Sequence, residues 1–242
     1  MTDPQSAATR SLAQVEESTR HLLHTVAELK PAALVEPSAL PGWTRGHVLA
    51  HLARNADSLV NLLTGARTGT DIPQYTSGEA RDRDIERDAP RPLEVQLDDL
   101  RASHERFAEA AALLAPEDWA ASVRHRFGYV FPAHGIPAKR VVELEFHHVD
   151  LDAGYTPAHW PESFAVAQFR RLAANLADDA GLPAVSLAAE DTGDRAVIGS
   201  GTPALTVEGP VRALTAWLSG RSDGTGLRRT PDTALPPLPP MG

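Results

Sequence analysis

The stretch "VVELEFHHVD", residues 141–150, places Glu143 and His147 four positions apart. Residues i and i+4 of a helix lie on one face, about 5–6 Å apart at their Cβ atoms, so both side chains can point at one ion. Val142 and Phe146 belong to an apolar stripe, and Glu143 and His147 lie at its edge. The pattern therefore predicts a helix with two metal-ligating side chains beside its buried face.

A second stretch, "GWTRGHVLAHLARNAD" at residues 42–57, repeats this spacing with His47 and His51. Catalytic zinc is usually held by three His, Glu or Asp side chains, with one position left open. If the two predicted helices are neighbours, one of these histidines completes a site with Glu143 and His147. The spacing does not choose between them, and it also occurs on solvated faces because it lacks the specificity of a motif such as HExxH.

The composition limits the classes of function. The chain has 242 residues and a formal net charge of −9, which allows one large or two small domains and disfavours nucleic acid as a partner. It has no cysteine, so thiol chemistry requires sulfur from a cofactor. No apolar run approaches the roughly 20 residues that span a bilayer, and the N-terminus lacks the apolar region of a signal peptide. We therefore expect a cytoplasmic protein without a membrane partner.

Apolar periodicity predicts helices for most of the first 155 residues. Long helices are predicted at residues 5–29, 44–63, 92–115 and 137–153, and a short charged helix at residues 77–88. Thr44 is a suitable N-cap for the second long helix, and Gly65 marks its end. Residues 122–136 are predicted to be irregular or extended. Four long helices indicate a bundle.

The stretch "GYTPAHWPE", residues 154–162, contains one glycine and two prolines and marks a domain boundary. Beyond it, helices are predicted at residues 162–178 and 210–220. Three short apolar runs between these helices predict three strands joined by tight turns. We therefore predict an α+β fold, with a helical bundle in residues 1–155 and, in residues 160–242, a smaller α+β domain built on a three-stranded antiparallel sheet.

We also predict the surroundings of four polar residues near the candidate ligands. Glu145 and His148 are expected to face solvent. Asn55 lies one turn after His51 and is expected to be a solvated helix residue rather than the partner of a ligand. Asp150 follows His147 by three positions, so it either supports that histidine or faces water.

The chain resembles the mycothiol-dependent maleylpyruvate isomerases, a family of DinB-like zinc enzymes, from about residue 10 to residue 225. The similarity is carried by "LPGWTRGHVLAHLARNA" (40–56), "PQYTSGEARDRDIE" (73–86), "GYVFPA" (128–133), "VVELEFHHVDL" (141–151) and "LSGRSDG" (218–224). The first stretch is typical of the wider DinB-like family. The "YTSGEAR" and "GRSDG" segments are more specific to the isomerase branch than the first stretch is. The stretch "HGIPAKR", residues 134–140, departs from the family pattern just before the zinc-binding helix.

The resemblance implies a fold and a set of site residues. A DinB-like four-helix bundle would bind one zinc ion through His51, Glu143 and His147, followed by a small α+β domain. Arg81 and Arg221, which lie in the two more particular segments, would act in the active site on substrate and cofactor. From the residues alone, each of these arginines could instead form a surface ion pair.

The resemblance also implies a reaction, the cis–trans isomerisation of maleylpyruvate to fumarylpyruvate in gentisate-type aromatic degradation. A thiolate adds to the alkene, the resulting single bond rotates, and elimination leaves the trans isomer. Zinc would deprotonate the thiol, and mycothiol would supply it. Arginine would bind the carboxylates of this dicarboxylate substrate.

Two other functions remain open from the sequence. A mycothiol S-transferase would use the same zinc and thiol on electrophiles, in an apolar pocket that needs no fixed cations. A non-catalytic DinB-like regulatory module would keep the fold alone. The complete set of His51, Glu143 and His147 disfavours the regulatory module, and Arg81 with Arg221 favours the isomerase over the transferase.

Overall fold

The computed structural model describes residues 3–239, and the chain divides into two units between Tyr155 and Thr156. The α-helices are α1 (Pro4–Ala27), α2 (Arg45–Thr68), α3 (Gly78–Asp88), α4 (Leu93–Ala112), α5 (Ile136–Asp150), α6 (Glu162–Asn175) and α7 (Val211–Leu218). The strands are β1 (Ser122–Arg124), β2 (Val130–Pro132), β3 (Pro183–Ala189), β4 (Arg195–Ile198), β5 (Ser200–Gly209) and β6 (Arg228–Thr230). In this part of the chain, no helix combines the length and apolar character that a membrane span requires.

The first unit is a bundle of the four long helices α1, α2, α4 and α5. Helix α2 packs against both α4 and α5, α1 packs against α5, and the short α3 packs against α2. The buried core of this unit includes Leu49, Leu52 and Leu59 of α2, Phe107 of α4 and Phe146 of α5. The predicted helices are confirmed in position. In α5, however, Val141 and Leu144 are buried, whereas Val142 of the predicted stripe is only partly buried.

The end of α2 differs from the prediction. Thr44 caps its first turn, where the backbone N–H of Thr44 donates to Nδ1 of His47 at 3.2 Å. The helix continues through Gly65 and ends at Gly69, whose φ of 68° is left-handed. A Cβ at Gly65 would lie 2.7 Å from the carbonyl oxygen of Thr70. This glycine therefore allows the returning chain to approach the helix closely and does not end it.

The segment between α4 and α5 contains a hairpin. Strands β1 and β2 pair antiparallel, with Val123 opposite Phe131. The turn of the hairpin is attached to the loop before α3, because Oε1 of Gln74 accepts a hydrogen bond from the backbone N–H of Arg126 at 2.7 Å. The hairpin leads directly through a short 3-10 turn into α5. It is therefore held near the N-terminal end of the helix that carries Glu143.

The second unit confirms the α+β class, but its sheet differs from the prediction. Helices α6 and α7 pack on each other, and the sheet has four strands in the order β4-β3-β5-β6. Strand β3 pairs antiparallel with β4 and parallel with β5. The predicted three-stranded antiparallel sheet was therefore wrong in strand number and in one strand direction.

Gly199 explains the difference in strand direction. The chain leaves β4 at Gly199, whose φ is 71°, and continues as β5 on the other side of β3. A Cβ at this position would lie 2.3 Å from the carbonyl oxygen of Pro183, so the crossing past the start of β3 requires glycine. Strand β6 consists of Arg228, Arg229 and Thr230, and it was missed because it contains no apolar residue.

A buried carboxylate fastens α3 to the bundle. Asp88, with a side chain only 1% exposed, forms ion pairs with Arg54 at 2.5 Å, Arg87 at 2.8 Å and Arg91 at 2.6 Å. Arg54 of α2 also pairs with Asp99 of α4 at 2.7 Å. Burial raises the pKa of Asp88, but the hydrogen bonds from Arg87 and Arg54 outweigh burial and hold that pKa below its ordinary value of 3.8.

We expect Asp88→Asn to lower the free energy of unfolding by about 2–3 kcal/mol, because it leaves several arginines without their shared charge. Since the folded pKa is depressed, this contribution is present above the ordinary pKa of aspartate and is lost as the pH falls through the folded value. Urea denaturation at several pH values measures both effects.

Asp98→Asn is the matched control, because Asp98 forms an exposed pair with Arg101, and it should cost less than about 0.5 kcal/mol. Equal losses of unfolding free energy in the two variants would show that Asp88 does not hold α3 to the bundle.

Candidate metal centre

Three side chains from two helices converge in the first unit. His51 projects from α2, and Glu143 and His147 project from α5. Oε2 of Glu143 lies 3.0 Å from Nε2 of His51 and 3.4 Å from Nε2 of His147. One ligand atom from each residue lies within 4.8 Å of the other two.

The contact between α2 and α5 is held by a buried guanidinium. Arg140, which is 1% exposed, donates from Nη1 to the carbonyl oxygen of Leu52 and to Oδ1 of Asn55, both at 2.8 Å. Arg140 precedes Glu143 by about one turn, and Asn55 follows His51 by about one turn. The bridge therefore fixes the distance between the two helices next to the candidate ligands. Burial lowers the pKa of Arg140 to about 10, so the group remains charged at neutral pH.

The prediction for Asn55 was wrong. Asn55 is only 5% exposed and serves as an acceptor for Arg140. The sequence does not reveal this role, because Arg140 lies 85 residues away along the chain.

The protonation states of His51 and Glu143 favour metal binding. Burial lowers the pKa of His51 to about 4, so its ring is neutral at neutral pH. Burial raises the pKa of Glu143, but hydrogen bonds with His147 and His51 outweigh it and hold that pKa well below its ordinary value. A neutral imidazole and an ionised carboxylate are the forms that coordinate a metal.

Asp150 supports His147. Its Oδ2 lies 2.8 Å from Nδ1 of His147, and the residue is 2% exposed. This contact turns Nε2 of His147 toward Glu143, as in the carboxylate–histidine pairs around protein-bound zinc. Burial lowers the pKa of His147, but hydrogen bonds with Asp150 and Glu143 outweigh burial and raise it. Of the two alternatives for Asp150, the structure shows support of a histidine.

The donor set and its spacing fit a zinc ion. Tetrahedral zinc with bonds of about 2.0–2.1 Å separates its ligand atoms by about 3.3 Å. The separations of Oε2 of Glu143 from the two histidine nitrogens, 3.0 Å and 3.4 Å, lie close to that value. Two imidazole nitrogens and one carboxylate oxygen also suit iron or nickel.

His47 takes no part in this cluster. Its Nδ1 belongs to the N-terminal cap of α2, and its Nε2 lies 3.3 Å from Glu86 of α3. Trp43 lies beside both histidines, with its ring centroid 5.5 Å from that of His51. The structure thus brings His51 to Glu143 and uses His47 to start the helix.

Arg81 reaches the cluster directly. Its Nη2 lies 3.2 Å from Nδ1 of His51, its Nη1 donates to Asp82 at 2.7 Å, and its guanidinium lies 6.0 Å from the ring centroid of Tyr75. Because arginine only donates, this contact requires His51 to carry its proton on Nε2. A metal on Nε2 would move that proton to Nδ1, so metal binding and this hydrogen bond exclude each other.

Arg221 belongs to the second unit, just after α7. Its Nη1 donates to the carbonyl oxygen of Ser219 at 2.8 Å, and its backbone N–H donates to Ala216 at 2.8 Å. These contacts hold the turn that follows the helix.

The predictions for Glu145 and His148 were wrong, because both residues are only 2% exposed. The two carboxylate oxygens of Glu145 accept hydrogen bonds from Ser18 at 2.5 Å and Tyr155 at 2.6 Å. Nε2 of His148 lies 2.8 Å from Oγ1 of Thr25. Helix α1 covers this face of α5, and the signal was the presence of Ser18 and Thr25 beside the apolar stripe of α1. Burial raises the pKa of Glu145.

The fold and the cluster define a class of protein, an α+β protein whose helical bundle carries a candidate metal centre of two histidines and one glutamate. Residues 15–152 match the family model described as the mycothiol maleylpyruvate isomerase N-terminal domain. The chain belongs to the mycothiol maleylpyruvate isomerase family.

Solved structures support this assignment. The crystal structure of the mycothiol-dependent maleylpyruvate isomerase matches with a TM-score of 0.89 and 25% sequence identity, covering 100% of both chains. The structure of a histidine-to-alanine mutant of that isomerase matches with a TM-score of 0.88, at the same identity and coverage. No curated protein matches the sequence.

We expect the purified protein to bind about one zinc ion per chain through the three convergent ligands. His51→Ala should remove the bound zinc, while His47→Ala should retain it, because His47 lies outside the cluster. Elemental analysis after dialysis gives the stoichiometry, and thermal unfolding with and without zinc gives an independent measure. Retention of zinc by His51→Ala would contradict the assignment of the ligands.

Proposed function

We propose that the protein catalyses the cis–trans isomerisation of maleylpyruvate to fumarylpyruvate, with one zinc ion per chain and mycothiol as thiol cofactor. The observation that carries the proposal is the convergence of His51, Glu143 and His147 in a member of this family. Both solved relatives are described as the mycothiol-dependent maleylpyruvate isomerase.

The chain supplies the ligands and their orientation but no sulfur, since it has no cysteine. When bound, zinc would lower the pKa of a coordinated thiol, and mycothiol would thereby provide the nucleophile that makes the cis double bond rotatable. Asp150 keeps the ring of His147 in register for coordination, and the bridge from Arg140 to Asn55 keeps α2 and α5 at a fixed distance. Trp43 covers one side of His51 and limits the access of water to the reacting atoms.

Arginine provides the positive charge that a dianionic substrate needs in a chain of net charge −9. Arg81 contacts His51 directly and is the first candidate to bind a substrate carboxylate, because arginine binds carboxylate bidentately. Coordination of a metal by His51 would release Nη2 of Arg81 from its contact with His51, so that Nη2 could bind the substrate carboxylate. We assign the same function to Arg221, for which the support is its place in the "GRSDG" segment.

The decisive experiment is a maleylpyruvate isomerase assay on the zinc-loaded full chain, with and without mycothiol. Turnover should require mycothiol and should be lost in His51→Ala, because the nucleophile and its metal are then missing. His104→Ala is the matched control, since His104 pairs with Glu16 on the surface of the bundle, and it should retain activity.

If zinc is bound at one per chain and no isomerase activity appears, the metal site is confirmed and the assignment of maleylpyruvate as the substrate is contradicted. Conjugation of mycothiol to an apolar electrophile would then indicate an S-transferase. A chain that binds neither zinc nor thiol would indicate a regulatory module.

We expect Arg81→Met and Arg221→Met each to lower kcat/KM for maleylpyruvate by about 10- to 100-fold, since a charge-assisted hydrogen bond contributes about 1.5–3 kcal/mol. Neither variant should lose zinc, because neither side chain is a ligand. Arg101→Met, which breaks an exposed pair with Asp98, is the control and should change kcat/KM little. If kcat/KM is unchanged in both Arg81→Met and Arg221→Met, neither arginine acts in the active site.

A further inference from the structure

Lys139 lies on the metal-facing side of α5. Lys139, Glu143 and His147 follow each other at intervals of four residues, so their side chains form one row along the helix. Lys139 is separated from Glu143 by about 6 Å along the helix axis, at a rise of 1.5 Å per residue. That distance suits a ligand that extends from the metal centre toward the N-terminal end of α5.

The hairpin holds Lys139 in place. Its Nζ donates to the hydroxyl of Tyr129 at 2.8 Å and lies 5.0 Å and 4.6 Å from the ring centroids of Tyr129 and Phe131. The ring of His125 stacks on Tyr129 with 4.4 Å between centroids. The aromatic side chains of the hairpin therefore form a wall beside Lys139, at the N-terminal end of this row.

The charge of Lys139 is not neutralised by an ion pair. Throughout residues 3–239, neither Lys139 nor its neighbour Arg140 forms an ion pair with a carboxylate. In contrast, Arg54 and Arg87 each pair with at least two carboxylates. Within residues 3–239, Lys139 is thus a cation without a carboxylate ion pair, on the same helix face as the candidate ligands of an acidic protein.

Lys139 and Tyr129 have hydrogen-bond donors that their mutual contact does not use. An ammonium group has three donors and uses one on Tyr129, while the tyrosine accepts that bond and keeps its own O–H. Lys139 is partly exposed, and Tyr129 is 46% exposed. Both groups can therefore donate to one incoming carboxylate.

We propose that Lys139 and Tyr129 bind one carboxylate of the substrate, so that the β1–β2 hairpin determines specificity for a dicarboxylate. This inference rests on the proposed function, because it concerns the same site. It differs from a purely structural role, in which Lys139 would only attach the hairpin to α5.

Kinetics provide the first test. Lys139→Met keeps the length of the side chain and its contact with the rings but removes the charge. We expect KM for maleylpyruvate to rise about 10-fold or more while kcat changes less than about 3-fold, as for the loss of binding shared by substrate and transition state. Lys139→Arg should restore most of the affinity. Tyr129→Phe, which keeps the ring under Lys139, should raise KM by a smaller factor. Lys30→Met is the matched control, since Lys30 is the other lysine of the chain and is exposed, and it should leave KM unchanged.

Chemical labelling provides a test that does not depend on turnover. The sequence has two lysines, so acylation of the zinc-loaded protein followed by peptide mass spectrometry compares Lys139 with Lys30 in the same molecule. Millimolar fumarate or maleate should slow the labelling of Lys139 and leave that of Lys30 unchanged.

The outcomes separate the two proposals. If the wild-type protein does not isomerise maleylpyruvate, the proposed function fails, and the labelling result alone decides on Lys139. If the wild type is active but Lys139→Met has an unchanged KM, or if neither dicarboxylate protects Lys139, the inference is overturned.

Discussion

The contact between α2 and α5 is the constraint on which the candidate centre depends. Arg140 spans this contact from within the core, bonded to Leu52 and Asn55 with no carboxylate ion pair among the described residues. A charge buried in this way costs free energy unless its hydrogen bonds are fixed. The role of this buried charge is geometric, because its hydrogen bonds to α2 set the separation between His51 and Glu143.

Helix α5 carries the candidate metal ligands on one side and buried structural hydrogen bonds on the other. Glu143 and His147 face α2, whereas Glu145 and His148 are bound by Ser18, Thr25 and Tyr155. A polar pair on the second face keeps the helix from rotating about its axis, since each group would lose its buried hydrogen bond. The orientation of the candidate ligands Glu143 and His147 is thus determined from both sides of α5.

The sequence predicts what is local and misses what depends on distant partners. Helix positions and the pairing of Glu143 with His147 follow from spacing within about one turn. The burial of Glu145, the role of Asn55 and the pairing of β5 with β3 each require a partner from another part of the chain. The crossing at Gly199 resembles an ordinary turn in the sequence, because only the neighbouring carbonyl of Pro183 reveals the need for glycine.

Strand β1 is anchored in the core by Val123, whereas Phe127, Tyr129 and Val130 at the tip of the β1–β2 hairpin are exposed and contribute little to the bundle. Changes at this tip can therefore alter the aromatic wall beside Lys139 without disturbing the candidate ligands or the helices that hold them. The residues that would determine substrate specificity are therefore distinct from the residues that keep the bundle folded. A single bundle can in this way hold the same candidate ligands beside differently shaped hairpin tips.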